Sequence, residues 1–154
     1  MAFDDFCAPD PYEELYFRLL DRTAGPGEDE AFDSLPEALR NMFVAAIFDM
    51  EIQNGGLCQF FANEGLAMAP LVGTSLRLLG LAPIAELYEG FARENGLDLA
   101  HLDGFEWETV EDFCEMYTQY SFDPFDEEYM RLWKSLDFNA RMLDFAEAHP
   151  EAFA

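Results

Sequence analysis

The stretch Glu51-Ile-Gln-Asn-Gly-Gly-Leu-Cys-Gln-Phe-Phe-Ala-Asn63 lies between two helical patterns, and its reading decides the fold. Upstream, Ser34 offers a helix N-cap, with Pro36 in the first turn and Glu37 at capping-box spacing. Leu39, Phe43, Ala46, Ile47 and Met50 then recur on one side of a helix. Gly55 and Gly56 are read as its stop, because glycine reaches positive φ without strain. A short helix resumes from about Leu57 to Asn63, anchored by Phe60 and Phe61. The amides of Gln53, Asn54, Gln59 and Asn63 have two readings. Either they satisfy backbone groups left open by two abutting helix ends, or they line a pocket for a polar ligand. Neutral amides donate and accept but do not shuttle protons, so such a pocket would bind rather than catalyse.

Outward from this stretch the pattern stays helical. Tyr12, Leu15, Tyr16, Leu19 and Leu20 follow the spacing of one buried face, and Thr23 to Glu30 reads as a charged Gly/Pro loop. A helix from about Met68 to Leu79 stops at Gly80, and Pro83 opens another that buries Ile84, Leu87, Tyr88 and Phe91 and ends near Asn95-Gly96. Thr109 with Asp112 three residues on starts a helix carrying Val110, Phe113, Cys114 and Tyr117. Asp123-Pro124 caps a long C-terminal helix with Tyr129, Leu132, Trp133, Leu136, Leu143 and Ala146 inward, ended by His149-Pro150. No alternating run supports a strand. The expectation is an all-α fold, a single compact domain over 1–154 with six to eight helices, mostly short with a long C-terminal one. Residues 1–33 form an N-terminal helix and acidic loop, and 34–154 form the core.

The composition excludes several function classes. The 154 residues are 51% apolar and 16% aromatic, so a packed globule is expected rather than an acidic disordered tail. Against 32 Asp and Glu stand 8 Lys and Arg, a formal charge of −24. Direct nucleic-acid binding needs clustered cations, and anionic membrane surfaces repel such a chain. What the composition leaves open is a partner that is itself basic. Met1-Ala2-Phe3-Asp4-Asp5 has no basic segment leading into an apolar one, so no signal peptide is expected, and Met42 to Phe48, the longest apolar run, is too short to span a membrane. Cys7, Cys58 and Cys114 are odd in number and widely spaced, which fits reduced core thiols in a cytoplasmic protein.

Motifs for phosphate loops, dinucleotides, zinc hydrolysis, serine hydrolysis and EF-hand calcium are missing, so neither catalytic activity nor a cofactor or metal is expected. His101 and His149 lack a partner constellation; His149 before Pro150 suits a helix end. With 32 carboxylates, some pair always falls at acid/base spacing, which says little about catalysis.

The string Asn54-Gly55-Gly56, Gln59, Phe60-Phe61, Asn63 and Gly65 resembles the signature of the DNA mimic protein nineteen-like family, most of whose members have no assigned function. Leu35-Pro36 with Arg40, then Leu76, Leu79 and Gly80, and the Asp126-Glu127-Glu128-Tyr129 run resemble its flanking segments, from about Leu35 to Phe153. Leu57 stands where an aromatic residue is usual, which leaves the fold unaffected. The resemblance implies an all-helical fold. For the family's namesake it implies dimerisation and the mimicry of duplex DNA by surface carboxylates that occupy a transcription factor. That mimicry is not tied to the Asn-Gly-Gly motif.

Charge density tests the mimic reading. Spread evenly over the roughly 8,000 Å² that a chain of this size exposes, the charge amounts to about one per 330 Å². Duplex DNA, with a charge per ~1.7 Å of axis, presents about one per 110 Å². Mimicry therefore needs the carboxylates on one face. Between Arg93 and Arg131 there is no Lys or Arg, and Asp103, Glu106, Glu108, Glu111, Asp112, Glu115, Asp126 and Glu127 fall inside as the candidate partner-binding set. Glu108, Asp112 and Glu115 are expected to form one helical row. Glu28, Asp29, Glu30 and Asp33 form a second acidic group. The same run also reads as a solubilising face. Three functions follow: a decoy for a basic DNA-binding protein, an immunity-type inhibitor of a cationic toxin with Trp107 or Phe105 as aromatic anchors, or a small-ligand binder using the Gln/Asn motif.

Overall fold

An uninterrupted apolar run from Met42 to Phe48 leaves a helix no polar face for solvent, and this segment becomes the centre of the fold. The computed structural model describes residues 10–23 and 32–154. In chain order the helices are α1 (Pro11–Thr23), α2 (Glu37–Asn63), α3 (Gly65–Leu78), α4 (Ala82–Glu94), α5 (Val110–Gln119), α6 (Phe122–Leu136) and α7 (Phe138–Ala148), closed by a 3₁₀ turn (Pro150–Phe153). α2 is central, packing against α1, α3, α5, α6 and the closing turn; α4 bridges α3 and α6, and α7 lies on α1 and α6. Among the described residues there is no strand, and the buried side chains form one contiguous core.

Aromatic rings join the layers. Phe48 meets Phe60, Tyr88 and Tyr129 edge-on at centroid distances of 5.0, 5.3 and 5.8 Å, tying both halves of α2 to α4 and α6. Local signals hold at several ends. Gly80 (φ 75°) closes α3, with the Leu81 N–H on the Leu76 carbonyl at 2.8 Å. Pro83 lies in the first turn of α4, and Thr109 and Asp112 form a reciprocal capping box on α5.

Other expectations need correction. Ser34 does not cap α2: Pro36 occupies the N-cap position without a side-chain cap, and the Arg40 N–H closes the first turn on its carbonyl at 3.0 Å. The single long C-terminal helix is two helices, α6 and α7. Asp137 takes the left-handed conformation (φ 52°, ψ 68°), ends α6 and caps α7 by accepting the Ala140 N–H at 3.3 Å. Asp tolerates this region better than most residues because its short side chain bonds locally. α6 also starts at Phe122, ahead of Asp123-Pro124.

The inward face of α5 is Phe113, Met116 and Tyr117, leaving Val110 and Cys114 exposed. Cys58 is a buried free thiol, pushed up to about 11 by burial and then by the Asp126 charge, whereas Cys114 is an exposed one rather than a core thiol. Cys7, Glu28, Asp29 and Glu30 lie outside the described residues. No described helix is long and apolar enough to cross a membrane.

Candidate functional site

The Gly-Gly pair breaks α2 without ending its hydrogen bonding. Gly55 leaves the helical region (φ −158°, ψ 17°) and Gly56 adopts φ 78°, a region open to glycine. A Cβ on Gly56 would also lie 2.3 Å from Asp126 Oδ2. In a continuous helix Glu51 and Asn63 would stand about 18 Å apart along the axis. The break folds residues 57–63 back, so that Gln59 Nε2 and Asn63 Nδ2 both donate to Glu51 Oε2, at 2.9 and 3.0 Å. Across the break, Asp126 Oδ1 accepts the Leu57 N–H at 2.9 Å.

Glu51 is thus a buried carboxylate satisfied by two neutral amides. Its neighbour Asp49 is buried as well, between α1, α2 and α6. Tyr129 donates its hydroxyl to Asp49 Oδ1 at 2.6 Å and Gln53 donates Nε2 at 3.3 Å. Burial pushes the Asp49 carboxyl above its ordinary range, opposed by hydrogen bonds from Tyr129, Gln53, Trp133 and Tyr12. The buried Trp133 indole N–H faces Asp49 without closing a full hydrogen bond. Burial first, and the Asp49 charge second, raise both the Tyr12 and the Tyr129 hydroxyls. No Lys or Arg pairs with either carboxylate among the described residues.

These two acids are the residues that sequence reasoning missed. The signal was the all-round apolar run just before them: a helix buried on every side also buries whatever polar residues follow on it. The four amides do not converge on one cavity. Gln53 goes to Asp49, Asn54 to the Met50 sulfur at 3.0 Å, and Gln59 and Asn63 to Glu51. Phe60 and Phe61 are core residues, Phe61 packing 4.9 Å from Phe105. The arrangement supports the kinked helix by engaging its amide donors internally.

The acidic run is a different kind of surface. Asp103, Glu106, Glu108, Glu111, Glu115 and Glu127 are exposed, and their carboxylates make no hydrogen bond or ion pair among the described residues. Asp112 and Asp126 are already engaged. The Asp112 carboxylate accepts the Glu108 and Thr109 N–H groups at 3.1 and 2.9 Å, which hold it below the usual carboxylate range. Asp126 is half-buried on Leu57; burial raises its carboxyl, the Leu57 bond lowers it and Asp123 raises it again.

Glu108 precedes the N-cap Thr109, so the expected row of Glu108, Asp112 and Glu115 does not form. Glu111 and Glu115, four apart and both exposed, share the solvent face of α5 instead. Arg131, at the end of the run, pairs with Glu128 inside it (Nε to Oε2 2.7 Å), and Arg77 pairs with Glu89 before it. His101 contacts Asp98 at 3.2 Å, and Tyr117 donates to Asp123.

Phe105 is buried, its ring stacked on Tyr120, so it is not a surface anchor. Trp107 is 46% exposed. Over the whole 9077 Å² surface the net charge averages about one per 380 Å², more dilute than duplex DNA. Local concentration, not the average, must carry any recognition.

The family model of DMP19-like proteins matches residues 33–149, which include the break in α2, both buried carboxylates and the acidic run. No curated protein and no solved structure matches the chain.

Proposed function

The chain belongs to the DMP19-like protein family, and on that premise we propose that it is a binding protein whose carboxylates occupy the basic, DNA-binding surface of another protein. One observation carries this reading. Between Arg93 and Arg131 seven exposed carboxylates (Glu94, Asp103, Glu106, Glu108, Glu111, Glu115 and Glu127) have no cation or donor within the described chain. Unpaired like charges repel and lower stability, and a cationic partner would offset that repulsion. The role is binding rather than catalysis, in the cytoplasm where such partners meet DNA.

The test uses the immobilised chain and a low-salt lysate. A basic DNA-binding protein should be retained, and duplex DNA or raised salt should release it. Retention of nothing basic, or retention that duplex DNA leaves untouched, defeats the decoy reading. A cationic toxin is the second reading, favoured by the exposed Trp107 beside the charges. It would stay bound in the presence of duplex DNA.

Self-association would use α3, the one described helix whose sequence contains no Asp or Glu. Leu66, Leu71 and Leu78 on it are exposed. Two copies at −24 each repel, and a helix without carboxylates is where they can approach. Sedimentation of Leu66→Glu/Leu78→Glu against the unaltered chain tests this, with a dimer giving way to a monomer.

A further inference from the structure

Trp107 is held in the open by its surroundings. On one side Phe105 is buried, its ring 4.9 Å from Phe61 and 5.6 Å from Tyr120. On the other, the capping box of Thr109 and Asp112 fixes the start of α5, and Asp112 also takes the Glu108 N–H at 3.1 Å. Between these pinned points the indole packs edge-on against Phe113 at 6.0 Å and remains 46% exposed. Val110, three residues on at the start of α5, is 70% exposed. Exposed apolar side chains rimmed by charged residues are where a contact surface is expected.

The charges around that pair identify the occupant. Glu106, Glu108 and Glu111 flank Trp107 and Val110 in sequence, all exposed and none paired among the described residues. An apolar partner would strand these carboxylates without water, and an anionic one would be repelled. A guanidinium satisfies both elements together. Its plane stacks on an indole, its N–H fork donates to carboxylates at the edge, and it loses its hydration more readily than an ammonium.

We propose that Trp107, with Val110 and the carboxylates of Glu106, Glu108 and Glu111, forms a receptor for an arginine side chain presented by a basic polypeptide. This inference rests on the proposed function and deepens it: the wider acidic surface supplies long-range attraction, and Trp107 selects arginine over lysine at contact. Trp107 is a specificity residue in this arrangement.

The probes are synthetic nona-arginine and nona-lysine peptides, titrated into the full chain across a salt series. Binding is followed by affinity and by the indole N–H resonance of Trp107, assigned with Trp107→Phe. The unaltered chain should bind the arginine peptide more tightly, with that resonance shifting on titration. Trp107→Ala should weaken the arginine peptide by about tenfold, erase the preference over lysine, and leave the salt slope unchanged. Trp107→Phe should retain part of the preference. Glu106→Gln/Glu108→Gln/Glu111→Gln should reduce the salt slope for both peptides. Circular dichroism melting checks that each variant is folded.

Equal affinity for the two peptides, or an indole resonance that does not move, overturns the arginine receptor while leaving the acidic-surface reading in place. Failure of both peptides to bind the unaltered chain at low salt overturns both.

Discussion

Asp126 on α6 and Leu57 on α2 are joined across the break in the central helix, Oδ1 accepting the Leu57 N–H at 2.9 Å. Sixty-nine residues of chain separate them. The bond does the work of an N-cap for a half-helix whose own preceding residue is a glycine without a side chain to offer. It also explains why Gly56 must be glycine twice over, by its φ of 78° and by the carboxylate oxygen that a Cβ would meet.

Asp126→Ala should therefore destabilise the fold by about 1–3 kcal/mol, because it leaves a largely buried N–H unpaired. Asp126→Asn keeps an acceptor and sheds a half-buried charge, so it should stay close to the unaltered chain at neutral pH. Gly56→Ala alone should be severe, and it should be less severe in the Asp126→Ala background, where the clash is gone and the strained φ remains. Urea midpoints of the four proteins test the cycle; additive losses would show that the two positions do not meet.

The buried Asp49 gives stability a pH dependence of definite sign. Burial holds the Asp49 and Asp126 carboxyls above their ordinary 3.8, so the folded chain binds these protons more tightly than the unfolded chain. Stability falls with rising pH wherever the folded state binds more protons. Their contribution is greatest below the unfolded value and is lost as pH rises through the raised folded values. Acidifying from about pH 7 towards 4 should thus stabilise the protein. Asp49→Asn should flatten that slope. Tyr129→Phe removes the 2.6 Å donor to the charged carboxylate, so it should cost about 1.5–3 kcal/mol at neutral pH and steepen the slope. Unfolding free energies at several pH values measure all three, and a Tyr129→Phe loss independent of pH would mean that Asp49 is not the group responding.

Much of this fold was legible because local chemistry decided it. Thr109 and Asp112 announce the start of α5, Pro83 that of α4, and Gly80 the end of α3, each through a bond or φ set within a few residues. Asp137 was missed because an acid in the middle of a periodic pattern looks like a solvent-facing helix position, and only its φ reveals the break. Asp49 and Glu51 were missed for a related reason. The stripe of Leu39, Ala46 and Ile47 assigns one face to the core, whereas α2 is packed by neighbours on all sides.

Within the acidic run, exposure was legible for Glu111 and Glu115. The engagement of Asp126 was not, because nothing in sequence spacing points to a backbone N–H on another helix.

The paired amides make a separate test of what the family motif does. Gln59→Leu should destabilise more than Asn63→Ala, since Gln59 is half-buried on Glu51 while Asn63 is exposed and water can replace it. A loss of about 1–3 kcal/mol is expected for the first and less for the second. Glu51→Gln should rescue part of the Gln59→Leu loss by removing the uncompensated charge. Thermal melts of these variants decide the matter. Unchanged melting in Gln59→Leu, together with lost partner binding, would make the motif a binding site instead of a support for the kink.

Glu111 and Glu115 bring stability and function into opposition on one helix face. Neither has a cation among the described residues, and at four-residue spacing their charges repel each other. Glu111→Gln/Glu115→Gln should then raise the melting temperature by at most about 1 °C, since Glu111 in the first turn of α5 also gains from the helix dipole. The same change should weaken capture of a basic partner and reduce its salt dependence, because the repulsion it relieves is the attraction the partner uses. A solubilising face would behave otherwise: carboxylates placed only to keep the chain in solution could be neutralised in pairs with no effect on any partner. The paired measurement, melting temperature against partner affinity, therefore separates a recognition surface from a merely soluble one. A double variant that melts higher and binds as before would assign this face to solubility alone.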